Sequence, residues 1–417
     1  MNRYSMPDPA RWAPWWVLAF VALWPLRGPA EVLLSLGAIA TVLMLLWRRW
    51  HEGEAWLSPE AWALSTLLFV AYWLPQPISA LDAVNPLRSL REAALDLRYL
   101  PFLWLATMAM ARAPGRRIVG LGLALIVAAW TADALLQAAT GWSLGGPVTE
   151  DRLSGIFGSH NLKLGLVLAS LSPFVLEAAA DRWRFPGWLV AALALGVVVL
   201  LAGARAGWVT LALVLLWSGW RRYGGRRTLL AMLMGGGLAF GSASLMSEQL
   251  QPRIERTAAA MQGDWKDLDH ALSGRLSIWR VAVAMSLDHP FNGVGVRGFR
   301  DAYGDYRREG EPPFEGDGIA FHAHQIVLEI LSETGSIGLL LWLSGALMAW
   351  RAWRVAGPIA KARAQVPMMA LAVTVFPFNT HHAFYSTFWG GLTLLLAALY
   401  VGSLLALDAE PEDAQSE

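Results

Sequence analysis

The stretch "HQIVLEILSETGSIG" (324–338) places His324, Glu329 and Glu333 at the head of an apolar run that continues through 339–350. Ionisable groups in hydrocarbon cost roughly 2.5 kcal/mol or more each, and they usually mark a function. An imidazole titrates near neutrality and can take a proton from a hydroxyl. Arginines also stand in unusual settings: Arg205 in "LAGARAGW", Arg152 in "RLSGIFGSHN", and Arg275, Arg280 and Arg297 in "SGRLSIWRVAVAMSLDHPFNGVGVRGF". A guanidinium stays charged and presents a planar fork of donors that matches phosphate oxygens. Several arginines with one histidine suit transfer from a phosphate-activated donor to a hydroxyl acceptor. The arginines would stabilise the charge of the departing pyrophosphate, and the histidine would activate the nucleophile. His322, two residues before His324, is a rival base, because on an extended chain it points the same way.

The elements that must position these groups follow from composition. The chain of 417 residues is 56% hydrophobic and only 16% charged, with 23 Trp and a mean hydropathy of +0.42. A soluble domain carries about 25% charged residues, and indole rings favour the bilayer interface, so the class is a membrane protein. The net charge of +1 gives no reason to expect a nucleic-acid partner, and the absence of cysteine excludes disulfides, thiolate catalysis and Cys-ligated metals. Segments of about 20 apolar residues predict an all-α protein of about twelve transmembrane helices, near 13–26, 31–47, 60–79, 98–112, 117–138, 161–180, 187–203, 206–221, 227–247, 325–350, 364–380 and 386–407. The N-terminal segment has no small-x-small cleavage site and reads as a retained first span.

Lys and Arg favour cytoplasmic loops. With the N-terminus inside, the inner loops hold Arg48 and Arg49, Arg116 and Arg117, Arg182 and Arg184, Arg221, Arg222, Arg226 and Arg227, and Arg351 and Arg354. The expected division is nine spans in 1–247, a periplasmic loop domain with short helices in 248–324, three spans in 325–407, and an acidic cytoplasmic tail in 408–417. A helix is expected over 275–287, and an amphipathic interfacial helix in "LDAVNPLRSLREAALDLRYL" before the fourth span. On this topology His324, Arg205, Arg152, Arg275, Arg280, Arg297 and the stretch "FPFNTHHAFYS" (376–386) all fall at the outer face.

The pattern His324-x3-Leu328-x4-Glu333-x-Gly335-x2-Gly338 resembles the signature of the O-antigen ligase family, which includes O-antigen polymerases and protein O-oligosaccharyltransferases. The stretches 152–174, 202–213, 273–299 and 376–392 agree with it, so the resemblance covers about 150–395. It departs from the common form at Gln325, where Asn often follows the histidine, and at Ala204, where Ser often precedes the arginine. The resemblance implies a GT-C-like, inverting glycosyltransferase that needs no metal or other cofactor. Such an enzyme moves a glycan from undecaprenyl diphosphate to a sugar of lipid A–core at the periplasmic face of the bacterial inner membrane. Carried onto matching positions, His324 is the general base and Arg205 and Arg275 bind the diphosphate, with Arg152 and Arg280 as further candidates.

Blander readings stand beside these. Arg205 could be a snorkelling membrane-edge arginine, although small residues flank it and leave room for a large ligand. Arg280 and Arg297 could belong to a solvated loop face, and His324 could cap a helix. Glu333, one turn after Glu329, suits a structural hydrogen bond better than catalysis, and Gly335 and Gly338 suit close helix packing. Asp267-Leu-Asp269 has the form of a metal-binding DxD, but two acidic residues in an Asp-rich loop occur often by chance; His381-His382 could ligate a metal, but no third ligand is evident. The alternative function is an O-antigen polymerase with a second lipid-linked glycan as acceptor. A lipid-glycan transporter is the reading from a different class; it needs charges along a path through the bilayer, whereas here they gather at one face.

Overall fold

The computed structural model describes residues 8–26, 28–49, 55–148, 152–246, 274–308, 320–380 and 383–408. It is almost entirely helical. The helices are α1 (Pro9–Ala22), α2 (Pro29–Arg48), α3 (Pro59–Trp73), α4 (Pro75–Ser79), α5 (Pro86–Asp96), α6 (Tyr99–Met110), α7 (Ala113–Thr140), α8 (Leu164–Leu201), α9 (Arg205–Tyr223) and α10 (Gly225–Met246). They continue with α11 (Arg275–Asp288), α12 (Phe299–Tyr306), α13 (Ile326–Val355), α14 (Pro358–Thr374) and α15 (Thr387–Leu404). Each apolar segment expected from the sequence overlaps a helix. Among the described residues six helical stretches, Pro29–Arg48, Pro59–Asp82, Ala113–Thr140, Leu164–Leu201, Ile326–Val355 and Thr387–Leu404, are long and apolar enough to cross a membrane.

Prolines and short polar side chains set many of the helix starts. Asp8 accepts from the Ala10 N–H at 3.0 Å, Ser58 Oγ from Ala61 at 3.1 Å and Ser386 Oγ from Trp389 at 3.3 Å, each satisfying an otherwise orphaned donor. α15 is apolar on every side and buried from Trp389 to Leu404, as expected of a helix at the centre of a bundle. α14, α6 and α3 pack around it. α8 is two helices folded at Arg184, whose backbone (φ 57°, ψ −143°) is not helical. A Cβ on Gly165 would lie 3.0 Å from Ala202 and one on Gly187 2.5 Å from the Ala179 carbonyl, so the two legs run antiparallel. A charged stretch with a proline, "DRWRFP" (181–186), supplies the bend.

The two ends of the bundle differ. At one end Glu177 bonds Arg221 and Arg222, both at 2.6 Å, and Asp408 bonds Arg116. Asp8 pairs with Arg112 at 3.3 Å, and Asp408 accepts from Ala113, the next residue, at 3.2 Å. The first and last described segments therefore meet at the start of α7, which requires an even number of crossings between them. At the other end the loops bond to one another. Leu153 N–H donates to Leu201 O at 3.2 Å and Val84 N–H to Val294 O at 3.0 Å, while Ser89 Oγ donates to Val296 O at 3.1 Å. That last pair holds the amphipathic helix α5, which the sequence places at the interface, against the connection that carries α11 and α12.

Candidate functional site

α13 begins at Ile326, and Gln325 caps it: its side-chain oxygen accepts from the Leu328 N–H. The Gln325 amide also donates to Pro377 O at 2.7 Å. Gln325 thus does both jobs open to an amide side chain here, which accounts for its tolerance in place of Asn. His324 stands just outside the cap with φ +51°, a left-handed conformation that costs a non-glycine residue about 1 kcal/mol or more. The chain reverses there and lays the His322 and His324 rings together, with centroids 3.9 Å apart.

Three of the candidate arginines converge. Arg275 is the first residue of α11, after Gly274 at φ +71°, and its Nη1 donates to Thr380 Oγ1 at 3.2 Å. Arg205 is the first residue of α9, after Gly203 at φ +70°. Arg152 is brought near the start of α9 by the Leu153–Leu201 bond. Its loop is fixed from below by buried Gln137, whose side-chain oxygen accepts from the Ser154 and Gly155 N–H groups at 3.0 and 2.8 Å. Burial, then the charges of Arg205 and Arg152, push the Arg275 guanidinium below the ordinary arginine range. Like charges that act on one guanidinium make a positive region suited to a polyanion. Neither α9 nor α11 has a side-chain cap at its start, so two sets of helix-start N–H groups add to the same field.

The loop 376–380 ties the two groups together. Thr380 bonds Arg275, and Pro377 bonds the residue after His324. Thr380 was not singled out from the sequence, although it lies within the stretch "FPFNTHHAFYS". Arg280 is five residues on from Arg275 and so about 140° around the same helix; the charges that act on Arg275 are those of Arg205 and Arg152.

Arg297 and Glu333 belong to a different structure. α13 breaks at Gly335 (φ 64°, ψ −164°), and the opened turn receives the segment 290–297. Val294 and Gly295 N–H groups donate to Ser332 O and Glu333 O at 2.8 and 3.0 Å, and Ser336 N–H donates to Pro290 O at 2.8 Å. The Glu333 carboxylate accepts from the Arg297 N–H at 2.8 Å, with Arg297 held at φ +61°. Glu329, also buried, accepts from the Tyr385 N–H at 3.3 Å. The two carboxylates are therefore anchors for the loops on either side of the histidines. Gly335 serves a helix break rather than the helix packing expected of it, because a Cβ there would lie 2.2 Å from Phe291 O.

Among the described residues no three His, Asp or Glu side chains gather as a metal site; Asp267, Asp269, His381 and His382 lie outside those residues. A family model described as O-antigen ligase matches residues 190–343, the same family that the motif at His324 resembles. The match takes in Arg205, Arg275, Arg280, Arg297, His322, His324 and Glu333, and leaves out Arg152 and Thr380. No curated protein matches the chain.

Proposed function

We propose that this chain is an O-antigen ligase of the bacterial inner membrane, with both termini cytoplasmic and a GT-C-like arrangement of about twelve spans. It transfers a glycan from undecaprenyl diphosphate to a sugar hydroxyl of lipid A–core at the periplasmic face. The observation that carries this reading is that the charges of Arg205 and Arg152 act on the Arg275 guanidinium, which is linked through Thr380 and Pro377 to the segment that holds His324.

The chemistry is a single displacement. The acceptor hydroxyl attacks the anomeric carbon while His324 takes its proton, the bond from that carbon to the phosphate oxygen breaks, and undecaprenyl diphosphate leaves. One displacement inverts the anomeric centre. Arg205 and Arg275, with Arg152 beside them, hold the diphosphate and offset the negative charge that grows on the leaving oxygen. Guanidinium groups can do this without a metal. An apolar groove of about 580 Å³ between α9 and α14, walled by Leu213, Trp217, Trp220, Val373 and Phe376, supports the reading. It runs from Arg221 to Phe376, the first residue of the loop that bears Thr380, so a polyprenyl chain lying in it with its head at Phe376 would bring its diphosphate toward the arginines.

The test is transfer by the purified protein with undecaprenyl-diphosphate glycan as donor, offering lipid A–core or a second lipid-linked glycan as acceptor. Product on lipid A–core alone is expected. Chain extension of the lipid-linked glycan without lipid A–core product would make the protein a polymerase, and no product with either would remove the glycosyl-transfer reading.

A further inference from the structure

A second cavity, of about 380 Å³, opens at the same end of the bundle between the end of α1, the start of α2 and the start of α15. It shares no lining residue with the apolar groove between α9 and α14. His322 forms part of its wall, and its ring lies 3.9 Å from that of His324, tilted at 44°. The cavity therefore reaches the ring beside the proposed base, and none of the three arginines lines it.

Its lining is amphiphilic. Phe20, Trp24, Leu34 and Phe388 supply apolar wall, and Lys163 and Glu31 stand among them as charged groups. Trp24 and Phe388 pack edge to face at 5.2 Å, and Lys163 Nζ sits 4.1 Å over the Phe388 ring. Glu31 is engaged by Arg98 at 3.2 Å, which offsets its charge. Aromatic faces with a few placed polar groups, in a volume of a few hundred Å³, are the common form of a small-ligand pocket. Beside it α2 presents Val32, Leu36 and Ile39 outward, each about half exposed, so the cavity borders a surface that suits lipid.

We infer that this cavity admits the acceptor, a lipid-anchored glycan bearing anionic groups. Its sugar lies against the aromatic wall, its anionic group is met by Lys163, and its hydroxyl passes His322 to His324. The donor's diphosphate has its own guanidinium cluster elsewhere, so one cationic group here suits the acceptor. His322 is then a positioning residue. This rests on the ligase reading, since it takes lipid A–core as the acceptor.

The experiment compares wild type, Lys163→Ala and Lys163→Arg as purified full-length proteins with equal thermal midpoints. Binding of lipid A–core is measured without donor, and KM for each substrate is measured in the transfer assay. Lys163→Ala is expected to weaken lipid A–core binding and raise acceptor KM by about ten-fold, the loss of one charge-assisted contact. Donor KM should stay unchanged, and Lys163→Arg should recover most of the loss. Equal lipid A–core binding by wild type and Lys163→Ala overturns the inference, as does a rise in donor KM alone. A wild type that binds lipid A–core but transfers nothing would instead sink the ligase reading and leave the binding comparison intact.

Discussion

At the scale of single residues, the site depends on what each group gives that a near relative would not. Arg205 and Arg275 present forks, and a lysine keeps the charge but loses the paired donors. Arg205→Ala should raise donor KM by about ten- to one hundred-fold, the worth of a charge-assisted hydrogen bond, and Arg205→Lys by less; donor titrations at fixed acceptor would show it, and an Ala variant equal to wild type would remove Arg205 from the site. Asp96 makes a contrasting case. It accepts from Tyr72 Oη at 3.1 Å and Gln76 Nε2 at 3.0 Å, yet burial outweighs both and pushes its carboxyl up to about 6. Because the folded-state value lies above the ordinary carboxylate value, the fold binds the proton more tightly than the unfolded chain, and ionisation destabilises it as pH rises from about 4 through 6. The cost above that window is on the order of 3 kcal/mol. Asp96→Asn keeps an acceptor for both donors and should melt higher than wild type at pH 8, with the difference vanishing near pH 4. A melting difference that does not change with pH would refute this.

At the scale of elements, the broken helix α13 does the positioning. Its break at Gly335 opens carbonyls that the 290–297 segment fills, and Glu333 closes the junction through Arg297 N–H. This fixes the end of α11, whose first residue is Arg275, relative to the start of α13, where His324 stands. A single methyl at Gly335 is opposed twice, by its positive φ and by the Phe291 carbonyl. Gly335→Ala should therefore lower the thermal midpoint by several degrees, with roughly 1–3 kcal/mol from the backbone conformation alone, and should reduce transfer. Gly237→Ala is the control, since a Cβ there meets nothing within 4 Å. Equal melting of the Gly335 and Gly237 variants would show that the junction is unimportant.

At the scale of the whole molecule, the helices were legible because apolar length is a one-dimensional signal. The bend inside α8 was legible too, since charge and proline interrupt the run at 181–186. The break in α13 was not. Gly335 sits among Ser332, Glu333, Thr334 and Ser336 at the head of a run long enough to read as one helix, and its partner, the segment 290–297, is distant along the chain. The chemistry of the arginines could be read from their type, but which of them meet depends on loop contacts such as Leu153–Leu201 and Arg275–Thr380, and no spacing encodes those. Gln325 shows the same limit in miniature: it departs from the common motif residue, and only its two hydrogen bonds reveal why it serves.

The most direct measurement is single-turnover transfer by purified His324→Ala, with saturating undecaprenyl-diphosphate glycan and lipid A–core, alongside donor binding by the same variant. Loss of a general base should slow transfer by about 100- to 10,000-fold while donor affinity, set by the arginines, stays near wild type. Transfer at the wild-type rate, or donor binding lost together with activity, would contradict a base at His324 acting on a donor held by a separate cationic cluster.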